Sequence, residues 1–268
     1  MDIAKEFASI PARYPELKGQ VAIVTGSSRG IGQGIAARFA REGMKVVVTG
    51  LDAAEVAETA DDLTAQGAEI LPITANLGEN GEIDRLFAET LAAFGTVDVL
   101  VNNAADLRRM PFDQVSEELI DYQLAVNVKA PMMLAQQAGA IMRAKKSGCI
   151  VNVTTPGALR THLPGLPYDV TKGAIDPLTR ALGVEWIRDG VRVNAIAPGW
   201  ANTWKAGKIT GYFDEVAARI PIGRPVEVLE LAAAVAFLVS PDASYMVGQV
   251  LYVDGGVTAQ LHPPGQPI

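Results

Sequence analysis

The feature that most constrains this chain is an apolar run that ends in a glycine-spaced turn and reopens as a helix. Val21-Ala22-Ile23-Val24 is apolar throughout, as a strand buried on both faces must be. Directly after it comes Thr25-Gly26-Ser27-Ser28-Arg29-Gly30-Ile31-Gly32, and from there Ile31, Ile35 and Phe39 recur at helical spacing. Glycines at 26, 30 and 32 permit a tight turn and a close approach of backbone N–H groups to a pyrophosphate. They also let the next helix pack tightly with its N-terminus aimed at the anion. Strand, loop and helix in this order predict a dinucleotide site at the first turn of a parallel sheet.

The rest of the chain repeats the pattern. Strand-like runs at 45–48, 68–74, 97–101, 149–153, 191–197 and 250–253 alternate with helical stretches at 53–66, 79–94, 116–145, 168–188 and 229–238. The alternation predicts an α/β fold, a Rossmann-type doubly wound parallel sheet of about seven strands with helices on both faces. One dinucleotide-binding catalytic domain over 1–268 is expected. Residues 1–19, broken by Pro11, Pro15 and Gly19, read as an irregular lead-in, and 258–268, with Pro263, Pro264 and Pro267, as a tail. Pro131 has no N–H for the carbonyl of Asn127, so a kink is expected there. A water linking that carbonyl to Lys172 is one consequence, and a simple helix end is the other.

Composition narrows the function. A net charge of −7 and an isoelectric point near 5.0 argue against a nucleic-acid partner. The single cysteine, Cys149, permits no internal disulfide and suits a reducing compartment. The charged first residues lack the apolar run of a signal peptide, and no stretch approaches the ~18 apolar residues of a membrane span. The expectation is a soluble, cytoplasmic protein with no membrane partner. His162 is one of only two histidines and has no ligand cluster around it, so no metal is inferred.

Tyr168 and Lys172, four apart on a predicted helix, project from one face. A phenol of pKa ~10 is a poor acid or base at neutral pH, and an adjacent ammonium is expected to lower it into use. The pair occurs on solvated helices too, so its meaning rests on the glycine loop upstream.

Together these motifs resemble the short-chain dehydrogenase/reductase family in its compact one-domain form. Thr-Gly-x-x-x-Gly-x-Gly is matched at 25–32 and Tyr-x-x-x-Lys at 168–172. Asn102-Asn103-Ala104 matches most of Asn-Asn-Ala-Gly, with Ala105 in place of the glycine. Pro198-Gly199 with Thr203 matches Pro-Gly-x-x-x-Thr, and Asn127 holds the place of the helix asparagine. The resemblance covers roughly 18–257 and implies an NAD(P)-dependent oxidoreductase acting on a secondary alcohol or ketone. It implies that Tyr168 exchanges the alcohol proton, Lys172 lowers its pKa and holds the nicotinamide ribose, and Asn127 anchors a water. Thr155, where the family has serine, would orient the substrate, its β-branch restricting the hydroxyl. Cofactor contacts are implied for Gly26, Ser28, Arg29, Gly30, Ile31, Gly32, Gly50, Asp52, Asn76, Leu77, Asn103, Ala104, Tyr168, Lys172, Pro198, Gly199 and Thr203. By the same analogy Asp98 and Asn76 lie near the adenine.

Cofactor choice turns on the end of the second strand, where an acid selects NAD. Here the position is Gly50, the nearest acid is Asp52, and Arg29 stands ready for a 2′-phosphate; NADP is favoured, with NAD as the alternative. The loops after the fourth, fifth and sixth strands carry Arg108, Arg109, Arg160, His162, Trp200, Trp204, Lys205 and Lys208. Either they recognise an anionic small-molecule substrate or they are ordinary solvated loop cations. A second function class, a nucleotide-binding sensor with weakened catalysis, is favoured only by Thr155 and Ala105. Two apolar stripes on the helix from Ser116, one of Leu119, Tyr122 and Val126, the other of Ile120, Leu124 and Val128, predict a homo-oligomer, a tetramer or dimer.

Overall fold

A computed structural model describes residues 2–203 and 212–262. Strands β1 (Val21–Val24), β2 (Lys45–Gly50), β3 (Glu69–Thr74), β4 (Val99–Asn102), β5 (Gly148–Val153) and β6 (Val191–Pro198) are followed by the two-residue strands β7 (Ala201–Asn202) and β8 (Val226–Glu227) and by β9 (Val250–Val253). Seven of them form one parallel sheet in the order β3-β2-β1-β4-β5-β6-β9, and β7 pairs with β8 apart from it. The reversal of direction beside β1 opens a crevice between the carboxyl ends of β1 and β4, where α/β sheets bind ligands.

Successive side chains on each strand enter opposite layers, as the pleat requires. Ala22, Val24, Val46, Val48, Val99, Val101 and Val151 pack against helices α2 (Gly30–Arg41) and α10 (Val228–Val239), α1 and α3 to α9 being given below. Ile23, Val47, Leu100, Ile150 and Val193 face the other layer, built from α4 (Glu82–Phe94), α6 (Ala130–Ala144) and α8 (Ile175–Trp186). Both layers are closed to water, which is why the strand sequences read as continuous apolar runs. The remaining helices are α1 (Ile3–Glu6), α3 (Ala53–Ala65), α5 (Glu117–Leu124), α7 (Leu166–Gly173) and α9 (Tyr212–Ala217). Among the described residues no helix is long and apolar enough to cross a membrane.

Three local expectations need correcting. The helix does not end at Pro131: α5 runs into α6 through a π-helical turn, Ala125–Lys129, in which Ala130 N–H bonds the Ala125 carbonyl, so the expectation of an Asn127 carbonyl opened for a water by a broken helix is not met. A proline on the first turn of α6 has no N–H to give, and the wider turn accommodates it without ending the helix. The helix predicted over 168–188 is two, α7 and α8, meeting at Ala174. Residues 1–19 are also not a loose lead-in. Ile3, Phe7, Ile10 and Leu17 are buried in the same layer as α2. The proline-rich tail from 263 lies outside the described residues.

One buried ion pair locks that leading segment down. Arg38 and Glu42, one turn apart on α2 and its cap, meet at 2.7 Å with side chains 4% and 1% exposed. Glu42 also accepts the N–H groups of Arg13 (2.8 Å) and Tyr14 (2.9 Å), and Arg41 donates to the Ile10 carbonyl at 3.0 Å. The carboxylate is fully bonded, so deleting it strands a buried guanidinium. Glu42→Ala is expected to destabilise the protein by ~3 kcal/mol or more. It should also release the first 15 or so residues to limited proteolysis. Equal denaturation midpoints and an uncut N-terminus in the variant would refute this role.

Candidate active site

The carboxyl ends of β1, β2, β4, β5 and β6 surround one cleft of about 790 Å³. Its cofactor-side floor is the loop between β1 and α2. Gly26 has φ 62°, and a Cβ there would sit 2.9 Å from Ala104 Cα. A Cβ on Gly32 would lie 2.3 Å from the Gly26 carbonyl oxygen. Neither position admits a side chain. The loop is shaped from the neighbouring strand: Thr25 Oγ1 accepts from the N–H groups of Asn103 (2.9 Å) and Ala104 (3.0 Å), and Asn103 Nδ2 donates to the carbonyls of Thr25 (2.8 Å) and Gly26 (3.0 Å). No side chain caps the start of α2, so its first N–H groups face the cleft as an anion cradle.

At the end of β2, Gly50 is compressed in the same way, with Ser28 Oγ 2.5 Å from where its Cβ would be. A side chain at this position would have to displace Ser28 and Val56. Asp52 Oδ1 instead accepts from the N–H groups of Ala54 (2.9 Å) and Glu55 (3.1 Å), capping α3. Arg29 pairs with Glu55 at 3.0 Å on an exposed rim.

The other half of the cleft holds the Tyr–Lys pair. Tyr168 and Lys172 lie on α7, and Thr155, at the end of β5, is buried in the same cleft, where its hydroxyl acts to lower the pKa of the Tyr168 phenol. The threonine thus brings its hydroxyl to the place expected of serine. Lys172 Nζ donates to the Val153 carbonyl at 2.8 Å, and burial lowers its pKa to about 8. The sequence expectation that the phenol is depressed does not hold. Burial pushes Tyr168 above its ordinary value, and the charge and hydrogen bond of Arg109, with the Thr155 hydroxyl, only partly offset this. The Arg109 guanidinium carbon lies 4.5 Å from the Tyr168 ring centroid.

Most of the other predicted cofactor residues line this cleft: Gly26, Ser28, Arg29, Gly30, Ile31, Asn76, Leu77, Asn103, Ala104, Pro198, Gly199 and Thr203. Gly32 and Asn127 do not. Gly32 backs the loop, and Asn127 is fully buried behind it. The Asn127 amide donates to the Asp106 carbonyl (3.0 Å) and to Thr171 Oγ1 (3.0 Å), and its Oδ1 accepts from Asp106 N–H at 2.8 Å. It ties the loop after β4 to α7. Asp98 is misplaced by analogy: it stands at the opposite end of β4, accepting from Val21 N–H at 2.8 Å and pairing with Lys145. Arg108 turns away onto Asp106 and the Tyr122 ring, whereas Arg109, Arg160, His162 and Trp200 line the cleft. Trp204, Lys205 and Lys208 lie outside the described residues.

Sequence reasoning missed Asp106, Gln123 and Asp169. Gln123 Nε2 donates to the Arg108 carbonyl at 2.8 Å, and Asp169 holds both the N–H (2.7 Å) and the Nδ1 (2.6 Å) of His162. A signal was present only for Asp169, an acid beside the tyrosine on a mostly buried helix.

Comparison with known proteins agrees with this geometry. A family model described as enoyl-(acyl carrier protein) reductase matches residues 26–258. The chain is 35% identical to the (hydroxy(phenyl)methyl)succinyl-CoA dehydrogenase subunit BbsD of Thauera aromatica, over 90% of this chain and 97% of that protein. It superposes with TM-score 0.84 on a gluconate 5-dehydrogenase from Burkholderia cenocepacia solved with NADP and tartrate, at 30% identity over 91% of this chain and 97% of that one. A variant of the actinorhodin polyketide ketoreductase solved with NADPH superposes at 0.86, with 32% identity over 90% and 98%.

The buried lysine has a thermodynamic signature. Its pKa of about 8 in the folded state lies below the ~10.4 of an unfolded chain. Between those values the unfolded state holds more protons, so this residue's contribution to stability rises with pH from about 8 to about 10. Below pH 8 the fold carries the full cost of the charge, ~3 kcal/mol at most. Lys172→Met keeps the stem and removes the charge, at the expense of the Val153 bond. Denaturant unfolding should find the variant as stable as wild type or more so at pH 7, with any advantage shrinking by pH 10. A lower stability at pH 7 by an amount that does not change with pH would refute the assignment.

Proposed function

Because the chain belongs to the short-chain dehydrogenase/reductase family, we propose that Tyr168, Lys172, Thr155 and Asn127 carry its reaction and that NADP is its preferred cofactor. The chain is an oxidoreductase that moves a hydride between a nicotinamide cofactor and a secondary alcohol or ketone. The observation that carries the residue assignment is the meeting of the Thr155 hydroxyl, the Tyr168 phenol and the Lys172 ammonium in one cleft with the glycine loop.

The nicotinamide, when bound, supplies or accepts the hydride. The Tyr168 hydroxyl holds the proton that goes to the developing alkoxide in reduction and receives it back in oxidation. Thr155 Oγ1 steadies the substrate oxygen beside that phenol, and Gly157 N–H fixes Thr155 Oγ1 from behind at 3.2 Å. Lys172, its pKa lowered by burial to about 8, stands one turn along α7, where it would hold the nicotinamide ribose and can return a proton to the phenol. Asn127 positions rather than reacts: it holds α7 and the loop after β4 at a fixed separation.

NADP is favoured because the end of β2 carries Gly50, crowded by Ser28 and Val56, where an acid would select NAD, and Asp52 is committed to capping α3. Arg29 remains at the rim. Its pair with Glu55 is solvent-exposed and worth ~1 kcal/mol or less, so a 2′-phosphate can compete for it. The NADP and NADPH in the two solved relatives support this reading. The buried lone thiol of Cys149, inert at neutral pH because burial raises its pKa, suits a cytoplasmic protein. The half-exposed Leu124 and Met132 on the face of α5 and α6 away from the sheet suit a homo-oligomer, a tetramer or dimer, which sedimentation at micromolar concentration reads directly. We read 1–268 as one catalytic domain.

Nicotinamide absorbance with a panel of alcohols and ketones tests the whole assignment. Tyr168→Phe should lose roughly 10²–10⁴-fold in turnover while still binding cofactor. Thr155→Ser should stay within a few fold of wild type, and Thr155→Val should fall by roughly tenfold or more. Near-normal turnover in Tyr168→Phe would sink the mechanism, and a Kd ratio favouring NAD would overturn the cofactor choice.

A further inference from the structure

Two groups beside Tyr168 are left unexplained by hydride transfer alone. The first is Arg109. Its neighbour Arg108 is neutralised by Asp106 at 2.5 Å and stacked on Tyr122. Arg109 pairs with no carboxylate among the described residues and lies over the Tyr168 ring, on the cleft wall. Its placement is built: Gln123 holds the Arg108 carbonyl and Asn127 holds both backbone groups of Asp106, so the loop has little freedom to carry Arg109 elsewhere.

The second is His162. Both oxygens of Asp169 are spent on it, one accepting its N–H at 2.7 Å and the other engaging Nδ1 at 2.6 Å. With Asp169 engaging Nδ1, Nε2 is the ring nitrogen left to meet a ligand. The ring stands 6.2 Å from the Tyr168 ring, and the residue lines the same cleft. A ring nitrogen at this point suits a hydroxyl, which can donate to it or accept from it, and a planar guanidinium suits a carboxylate taken in bidentate fashion. Asp169 is engaged by His162 and makes no ion pair with Arg109.

We propose that the substrate is a short polyhydroxy acid, its carboxylate held by Arg109 and a neighbouring hydroxyl held by His162 Nε2. This rests on the hydride-transfer reading and adds the substrate class to it. The separations set the size. A guanidinium 4.5 Å from the Tyr168 ring centroid reaches a carboxylate only a few bonds from the carbon that meets the phenol. Long acids with a remote carboxylate are excluded from this contact.

The test compares three alcohols in the NADP-linked absorbance assay: gluconate, a polyhydroxy acid; sorbitol, its uncharged counterpart; and 3-hydroxybutyrate, an acid with no second hydroxyl. Wild type should favour gluconate over each of the others by roughly tenfold or more in kcat/KM. Arg109→Gln should collapse the gluconate-to-sorbitol ratio, mainly through KM, and Arg109→Lys should restore part of it. Any effect of Arg109 on the Tyr168 proton is common to both substrates and cancels in the ratio. His162→Phe should collapse the gluconate-to-3-hydroxybutyrate ratio instead. Sorbitol preferred by wild type, or ratios unmoved by these substitutions, would overturn the proposal. Binding gives a second readout: gluconate should raise the melting temperature of the NADP-saturated protein, and Arg109→Gln should abolish the shift. If no alcohol is oxidised with either cofactor, the hydride-transfer reading fails on its own. The thermal shift still decides the carboxylate site, and no shift in wild type rejects it.

Discussion

The cleft depends first on a set of hydrogen bonds between the ends of β1 and β4. A loop that must bring bare backbone against an anion has no side chains with which to hold its own shape. Here Thr25 and Asn103 hold it from outside, the threonine hydroxyl accepting two N–H groups and the asparagine amide donating to two carbonyls. From Asn103 the chain runs three residues to Asp106, where Asn127 takes both backbone groups and passes on to Thr171 on α7. Thr171 in turn donates to the Tyr168 carbonyl at 2.7 Å. One continuous line of polar contacts therefore fixes the distance between the phosphate cradle and the tyrosine. None of its members needs to touch a ligand to matter.

Electrostatics in the other half of the cleft is a contest between burial and charge. Burial opposes ionisation of both the phenol and the ammonium, raising Tyr168 and lowering Lys172. Both shifts run toward the neutral form: the phenol keeps its proton, and the lysine, still mostly charged at pH 7, comes within reach of giving one up. Arg109 and Thr155 act on the phenol in the opposite sense. An arginine from the loop after β4 therefore does part of what the sequence pattern assigns to the lysine.

The alternation of apolar runs and helical stretches made the sheet legible because both of its faces are covered, and each strand writes that requirement directly into its residues. The Tyr–Lys pair, the glycine loop and Thr155 were legible because their spacing is short and local. What could not be read depends on long-range packing. Ile3, Phe7 and Ile10 keep a helical i, i+4, i+7 spacing, but the run is cut off at Pro11 after little more than two turns, and only Glu42, far along the chain, reveals what holds the segment down. Asp98 was assigned to the adenine end of a strand whose opposite end it occupies, an error of direction along β4. Arg109 and Arg108 are indistinguishable as adjacent letters; the loop conformation sends one to Asp106 and the other to Tyr168.

The π-helical turn at Ala125–Lys129 also changes what kind of alteration this helix can bear. Such a turn accommodates about one residue more than the α-helix around it, so everything beyond it is rotated by roughly 100° about the axis relative to an uninterrupted helix. The faces of α5 and α6 are thus set by chain length as well as by residue type. Gln123 and Val126 point inward before the phase slip, and Leu134, Ala138 and Met142 point inward after it. Shortening the turn by a single residue would leave every side chain chemically intact and yet swing the whole inner stripe of α6 off the sheet. In this segment spacing carries as much of the fold as residue identity, and a gap is a graver change than a substitution.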